Sequence, residues 1–291
     1  MSGRPSLGRI GIWAGDIDNY SATEVRRAVT EIEDLGYGTL WFPEATGREA
    51  MAQAGMLLSA TRRITVATGT ASIYARDAVS TAAAQRTLEE AFPGRFLLGL
   101  GVSHPALVED VRGHRFGPPL AAMRDYLDAL DNAPFGPPAP PAAPHRVLAA
   151  LGPGMLKLAG RRAWGAHPLG MPVQHTKHAR TLLGPHALLA VTQLAILDLD
   201  RTAADLARTH VAAALPNRRV LLHDLGFQDL DALNDELVDA LVVRGTIDDI
   251  AHRVHQHLDV GADHVSLHLL TTTPHVPPLR QWRALAANLL P

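Results

Sequence analysis

The chain has 291 residues, 27 Lys plus Arg against 29 Asp plus Glu, a formal charge of −2, and no cysteine. Near-neutrality excludes the broad basic footprint of nucleic-acid binders and a polybasic membrane patch. The missing cysteines exclude disulfides, thiolate zinc sites and a cysteine nucleophile, and favour a reducing, cytoplasmic setting for a chain whose 47% hydrophobic residues suit a packed core.

No run of about 20 apolar residues is present, and no apolar segment precedes Arg9, so neither a span nor a secretory signal is expected. Eight strand-like runs follow in order: Ile10–Ala14, Thr39–Phe42, Ile64–Thr68, Phe96–Val102, Arg146–Leu151, Gly165–Leu169, Leu194–Asp198 and His264–Leu270. Amphipathic stretches separate them. Thr23–Leu35 sets Val25, Ala28, Val29, Ile32 and Leu35 on one face, with Thr23 as cap and Gly36 as stop. Asp77–Phe92, Pro118–Asp131 and Thr202–Ala214 read the same way. Residues 134–144 hold six prolines in eleven and predict a stiff connector. Residues 215–243 read as an insertion with one short helix, Leu230–Leu241. Continuous alternation without a composition break predicts a single (β/α)8 barrel over 1–291. A doubly wound sheet is the rival, but Gly99-Leu-Gly101-Val-Ser-His104 lacks the third glycine of a dinucleotide fingerprint.

Barrel chemistry collects at the C-terminal ends of strands. There the chain offers Trp13 and Asp16, Glu44, Gly69 to Ser72, Gly101 to His104, Leu151 to Gly154, Gly170 with Met171, and three threonines after Leu270. Small residues admit a flat ring. Paired carboxylates are scarce, which argues against a glycosidase and leaves room for a cofactor with its own chemistry. Leu151-Gly152-Pro153-Gly154 opens a helix and is either a phosphate seat or an ordinary strand-to-helix turn. His104 is either a proton donor or a loop bystander. His264, Ser266 and His268 share one face of the last strand and should point inward, so His268 is a core residue or lines a substrate pocket. His252 and His255 lack the acidic spacing of a metal helix, and no metal site is expected.

The segments 35–46, 67–104, 149–167 and 237–270 resemble the bacterial luciferase-like superfamily, and within it the oxidoreductases that use coenzyme F420. The long block ATGTASIYARD through LGLGVSH is the specific one. The resemblance implies a non-proline cis peptide at Gly69–Thr70 behind the deazaflavin ring, with Trp13, Ala71, Gly101, Val102 and Ser103 around it. It implies Glu44 at the ring, His104 as proton donor, and Leu151, Gly152, Pro153, Gly170 and Met171 at the coenzyme phosphate. Asp16 and His268 would border a substrate pocket. Many relatives have Glu-His where this chain has Glu44-Ala45, Ala-Asp-Gly where it has Ala163-Trp164-Gly165, and an aromatic at Leu169. The implied activity is hydride transfer between deazaflavin C5 and a small organic or peptide-borne substrate. Reduction of an activated C=C or C=N bond, as in secondary metabolism, fits the absence of a base at Ala45. An FMN-dependent monooxygenase and a non-catalytic ligand-binding barrel are the alternatives, and a homodimer is compatible with either.

Overall fold

A computed structural model describes residues 5–140, 144–197 and 201–291. Its strands are β1 (Ile10–Trp13), β2 (Thr39–Phe42), β3 (Thr65–Thr68), β4 (Ala71–Ser72), β5 (Phe96–Gly101), β6 (Arg146–Leu148), β7 (Gly165–Ala166), β8 (Leu188–Leu197), β9 (Val242–Gly245) and β10 (His264–Leu269). The helices are α1 (Ala22–Asp34), α2 (Ala50–Ser59), α3 (Ala78–Ala91), α4 (Pro119–Asp131), α5 (Pro153–Arg162), α6 (Val173–Leu183), α7 (Arg201–Ala214), α8 (Arg219–Asp224), α9 (Asp235–Leu241), α10 (Ile247–Asp259) and α11 (Leu279–Leu289). Every strand pairing is parallel. β10 pairs with both β1 and β8, through Ile10↔Val265 and His264↔Ala190, which closes the ring into the expected barrel. The Gly69–Thr70 peptide is cis. Beyond it β4 resumes the line of β3 and pairs with the upper end of β5.

Alternation along the strands builds two cores. Leu40, Phe42, Val66, Leu98, Val265 and Leu267 face outward onto the helices. Trp13, Trp41, Ala67, Leu97 and Val147 fill the barrel interior. The inward face of β10 is polar, as expected. Trp41 Nε1 donates to His264 Nε2 at 3.1 Å, and the other ring nitrogen of His264 pairs with Gly8 O at 2.9 Å. Ser266 Oγ lies 2.7 Å from Thr192 Oγ1.

Helix α1 buries Val25, Ala28, Val29 and Ile32 at the predicted spacing. Its cap is Ser21 rather than Thr23. The Ser21 side chain accepts from the Glu24 amide while Glu24 returns to the Ser21 amide, a capping box. Glu33 on this helix is buried, because its carboxylate accepts from the amides of Arg62, Arg63 and Ile64 at the start of β3.

The seventh run was read too short. β8 begins at Leu188, since buried Thr192 and Gln193 hydrogen-bond inside an otherwise apolar strand, and Asp198 lies outside the described residues. The residues after α7 also differ from the expectation. They hold α8, a 3-10 turn at Leu230–Ala232 and α9 instead of one helix, and then β9, which the sequence reading overlooked. β9 pairs Leu194↔Val242 through Leu197↔Gly245, just beyond the Leu169↔Thr192 bridge that follows β7. This segment has its own apolar cluster, with Val211, Leu222, Leu237 and Val242 packed on Leu194, Ile196 and Met171. In the proline connector, Ala133 O and Pro134 O accept from Arg86, whose guanidinium also lies 5.3 Å from the Phe135 ring; Pro141–Ala143 lie outside the described residues. Among the described residues no helix is long and apolar enough to cross a membrane.

Candidate active site

At the C-terminal ends of β1 to β6 lies a cavity of about 400 Å³, within the usual range for small-molecule sites. Of the residues singled out in the sequence, Trp13, Glu44, Gly69, Thr70, Gly101, Ser103, His104 and Leu151 line it. The indole of Trp13 donates to Gly69 O at 3.1 Å. A Cβ on Gly69 would stand 2.5 Å from that indole nitrogen, and one on Gly101 2.3 Å from Thr70 Oγ1. A side chain at either position would force Trp13 or Thr70 to move, so glycine is what lets these side chains approach the strand ends so closely.

Glu44 reaches the wall with its carboxylate already engaged. Oε2 accepts from Ser72 N at 2.9 Å, Oε1 accepts from Ala50 N at 3.1 Å, and Arg76 forms a short ion pair with Oε1. The group ties the end of β2 to β4 and to the first turn of α2. Its two oxygens accept from three donors, so the side chain is fixed in place and acts as a brace.

The chain leaves β5 through Ser103, whose φ of +60° lies in the left-handed region, uncommon for a residue other than glycine. The turn places His104 at the cavity rim. Partial burial, and then the charge of Arg218, hold the His104 imidazole below its ordinary value.

His167 and Arg218 line the wall without having been singled out in the sequence as site residues, and Leu169 lines it where relatives carry an aromatic. His167 stacks on Trp41 with ring centroids 4.0 Å apart and planes at 4°, and its Nδ1 pairs with Ala190 O at 3.0 Å. Burial pushes its pKa down to about 3, so it presents a neutral ring. Leu169 follows it. Arg218, just ahead of α8, enters from the inserted segment and donates from Nη2 to Leu169 O at 3.1 Å. The His-Pro pair at 167–168 was the visible signal for His167. Nothing local marks Arg218.

Several expected positions lie off the wall. Ala71 is wholly buried in β4, and Val102, Asp16, Gly152 and Pro153 do not line the cavity. Pro153 begins α5 with Gly152 as its cap, and a Cβ on Gly152 would meet open space. Gly170 does not offer a free amide, because its N–H donates to Thr192 O at 2.9 Å. Met171 buries its side chain under the inserted segment. His268 points inward as expected but stands behind Trp13, with ring centroids 4.6 Å apart, and does not line the cavity. Burial brings its pKa to about 3.

The family model described as luciferase-like monooxygenase matches residues 9–264. A protein of Mycobacterium tuberculosis named as a coenzyme F420-dependent oxidoreductase is 33% identical over 162 residues, covering 55% of this chain and 46% of that protein. The chain thus matches about half the length of this relative. The 5,10-methylenetetrahydromethanopterin reductase of Methanolobus tindarius is 25% identical over 281 residues, covering 80% of this chain and 86% of the relative. Among solved structures, an F420-dependent secondary alcohol dehydrogenase in complex with an F420-acetone adduct has a TM-score of 0.78 at 15% identity, covering 99% of this chain and 98% of that one. At that identity the likeness is one of fold.

Proposed function

The chain belongs to the luciferase-like monooxygenase family, and from that premise we propose that it is a coenzyme F420-dependent oxidoreductase of small molecules. The observation that carries the coenzyme is the 33% identity with a relative named for F420. The cavity fits such a group: it has a glycine-lined wall, an indole at one side, and a buried cationic nitrogen on Arg218 with no partner. When bound, F420 supplies hydride chemistry at C5 of its deazaflavin ring.

The remaining work falls to the chain's own residues. Trp13 and Gly69 shape the wall, and their hydrogen bond fixes the strand end against which a ring would rest. Glu44, held by Ser72, Ala50 and Arg76, keeps β2, β4 and α2 in register around the opening. Leu151 on the wall leads into the start of α5, whose first N–H groups, at Gly154 and Met155 because Pro153 has none, would receive the coenzyme phosphate. His104 at the rim delivers a proton to the substrate. The arrangement favours reduction of an activated C=C or C=N bond, because Ala45 stands where relatives carry a histidine and Glu44 is already occupied by Arg76. A peptide-borne substrate, a role in secondary metabolism and a homodimer belong to this proposal in the same way.

Equilibrium titration of the purified protein with F420 and with FMN tests it. F420 should bind at least tenfold more tightly. Preferential binding of FMN, followed by flavin-dependent oxygen consumption, would replace the reading with a monooxygenase. Binding of neither would leave a ligand-binding barrel of another kind.

A further inference from the structure

Arg218 differs from the arginines around it, on α7, in the inserted segment and on β9. Arg208 pairs with Asp235 and Arg219 with Asp231 at the surface, and the largely buried Arg244 pairs with Asp239. Arg218 lines the cavity instead. One of its terminal nitrogens serves Leu169 O, and its Nε is buried without a hydrogen-bond partner. Among the described residues no carboxylate pairs with it. The acidic side chain on the same wall, Glu44, is already committed to Arg76. An unpaired cation removed from water is costly, and a planar guanidinium with a free N–H edge matches an oxyanion.

We infer that Arg218 is an anion clamp, whose guanidinium pairs with an oxyanion carried by the molecule that fills the cavity. That oxyanion is either the phosphate of the coenzyme or a carboxylate of the substrate. The cation reaches the site electrically as well as sterically, since it lowers the pKa of both His104 and His210. Its place is set by packing. Arg218 lies between Leu215 and Leu222, both buried in the cluster beneath the segment. The insertion therefore carries to the barrel mouth a cation that no carboxylate among the described residues pairs. The inference rests on the cavity being the coenzyme and substrate site.

The test compares wild type with Arg218→Gln, titrating F420 and its phosphate-free deazaflavin nucleoside by fluorescence. On the F420-loaded proteins, benzoate and neutral benzamide are then titrated. If the coenzyme phosphate is the partner, the variant binds F420 at least tenfold more weakly and the nucleoside within twofold of wild type. If the partner is a substrate carboxylate, F420 affinity is unchanged, while loaded wild type prefers benzoate to benzamide at least fivefold and the variant does not. Unchanged F420 affinity together with no benzoate preference overturns the inference. Arg218→Lys, which keeps the charge and loses the fork, should retain part of the effect and covers the case in which the glutamine variant does not fold. The benzoate preference of wild type needs no variant at all. Should wild type fail to bind F420, the coenzyme reading falls by itself, and FMN against riboflavin carries the same comparison for Arg218.

Discussion

At the scale of single residues, proton delivery and anion binding separate cleanly. His104→Ala should leave F420 affinity nearly intact and lower turnover by about 10²–10⁴-fold, the usual contribution of a general acid. A loss below about threefold would make His104 a bystander. Only the imidazolium donates, and burial with the Arg218 charge depresses its pKa. The rate should therefore fall as pH rises through that lowered value. Arg218→Gln removes the neighbouring cation, so the imidazole should hold its proton more strongly and the descending limb should move to higher pH. A limb that stays in place in the pH–rate profile would mean that another group titrates. Gly152→Asp addresses the anion seat. Its Cβ enters open space and aspartate is a good helix cap, so the fold should not suffer. A carboxylate at the helix start should nevertheless repel an anion there and weaken F420 binding at least tenfold, about 1.4 kcal/mol. An unchanged dissociation constant would place the phosphate elsewhere. The residues that define the wall were only partly readable. Trp13, Gly69, Thr70 and His104 sit at strand ends, and strand ends can be located from local pattern. His167 and Arg218 reach the wall through a two-residue strand and a distant insertion, and no local pattern encodes those positions.

At the scale of elements, side-chain caps and braces hold the βα units in register. Ser21→Ala removes the capping box of α1 and should cost about 1 kcal/mol. Glu33 does more, because one buried carboxylate serves three amides at the start of β3. Glu33→Ala leaves those amides unsatisfied and should cost about 2–4 kcal/mol. Burial works against its charge, but the amides outweigh it and hold the pKa below the usual glutamate value. Its contribution is then complete above the unfolded-state pKa and is lost as pH falls through the lowered folded-state one. Denaturant unfolding of wild type and Glu33→Gln at pH 7 and near pH 3 should show a smaller pH dependence in the variant. Equal dependence would assign the effect to other carboxylates. The helical periodicity of α1 was legible because one face is apolar every third and fourth residue. Its cap was misplaced by two residues, since Thr23 and Ser21 are both chemically suitable and only the chain's approach decides between them.

At the scale of the whole molecule, a closed barrel carries a separately packed segment. β10 bonded to β1 and β8 makes the ring cooperative, whereas α8 and α9 are short helices over their own cluster. Amides within 219–234 should exchange at a lower opening free energy than those of β1, β8 and β10, which should require global unfolding. Hydrogen exchange read by mass spectrometry decides this, and uniform protection would make the segment part of the barrel's cooperative unit. Because Arg218 rides on that segment, opening it should also loosen the anion clamp. By itself the sequence determined the barrel and the end at which the cavity opens. Both follow from local periodicity, the parallel alternation and the rule that loops after strands face one end. It also determined the glycine-rich wall, since small residues at strand ends are visible one by one. Only the tertiary structure decided that Glu44 is bound to Arg76, that the Gly170 amide is spent on Thr192, that His268 stands behind Trp13, and that Arg218 faces the cavity. Each of these depends on which distant atoms meet once the ring closes, and burial and hydrogen bonding are set by that meeting rather than by neighbours in the chain.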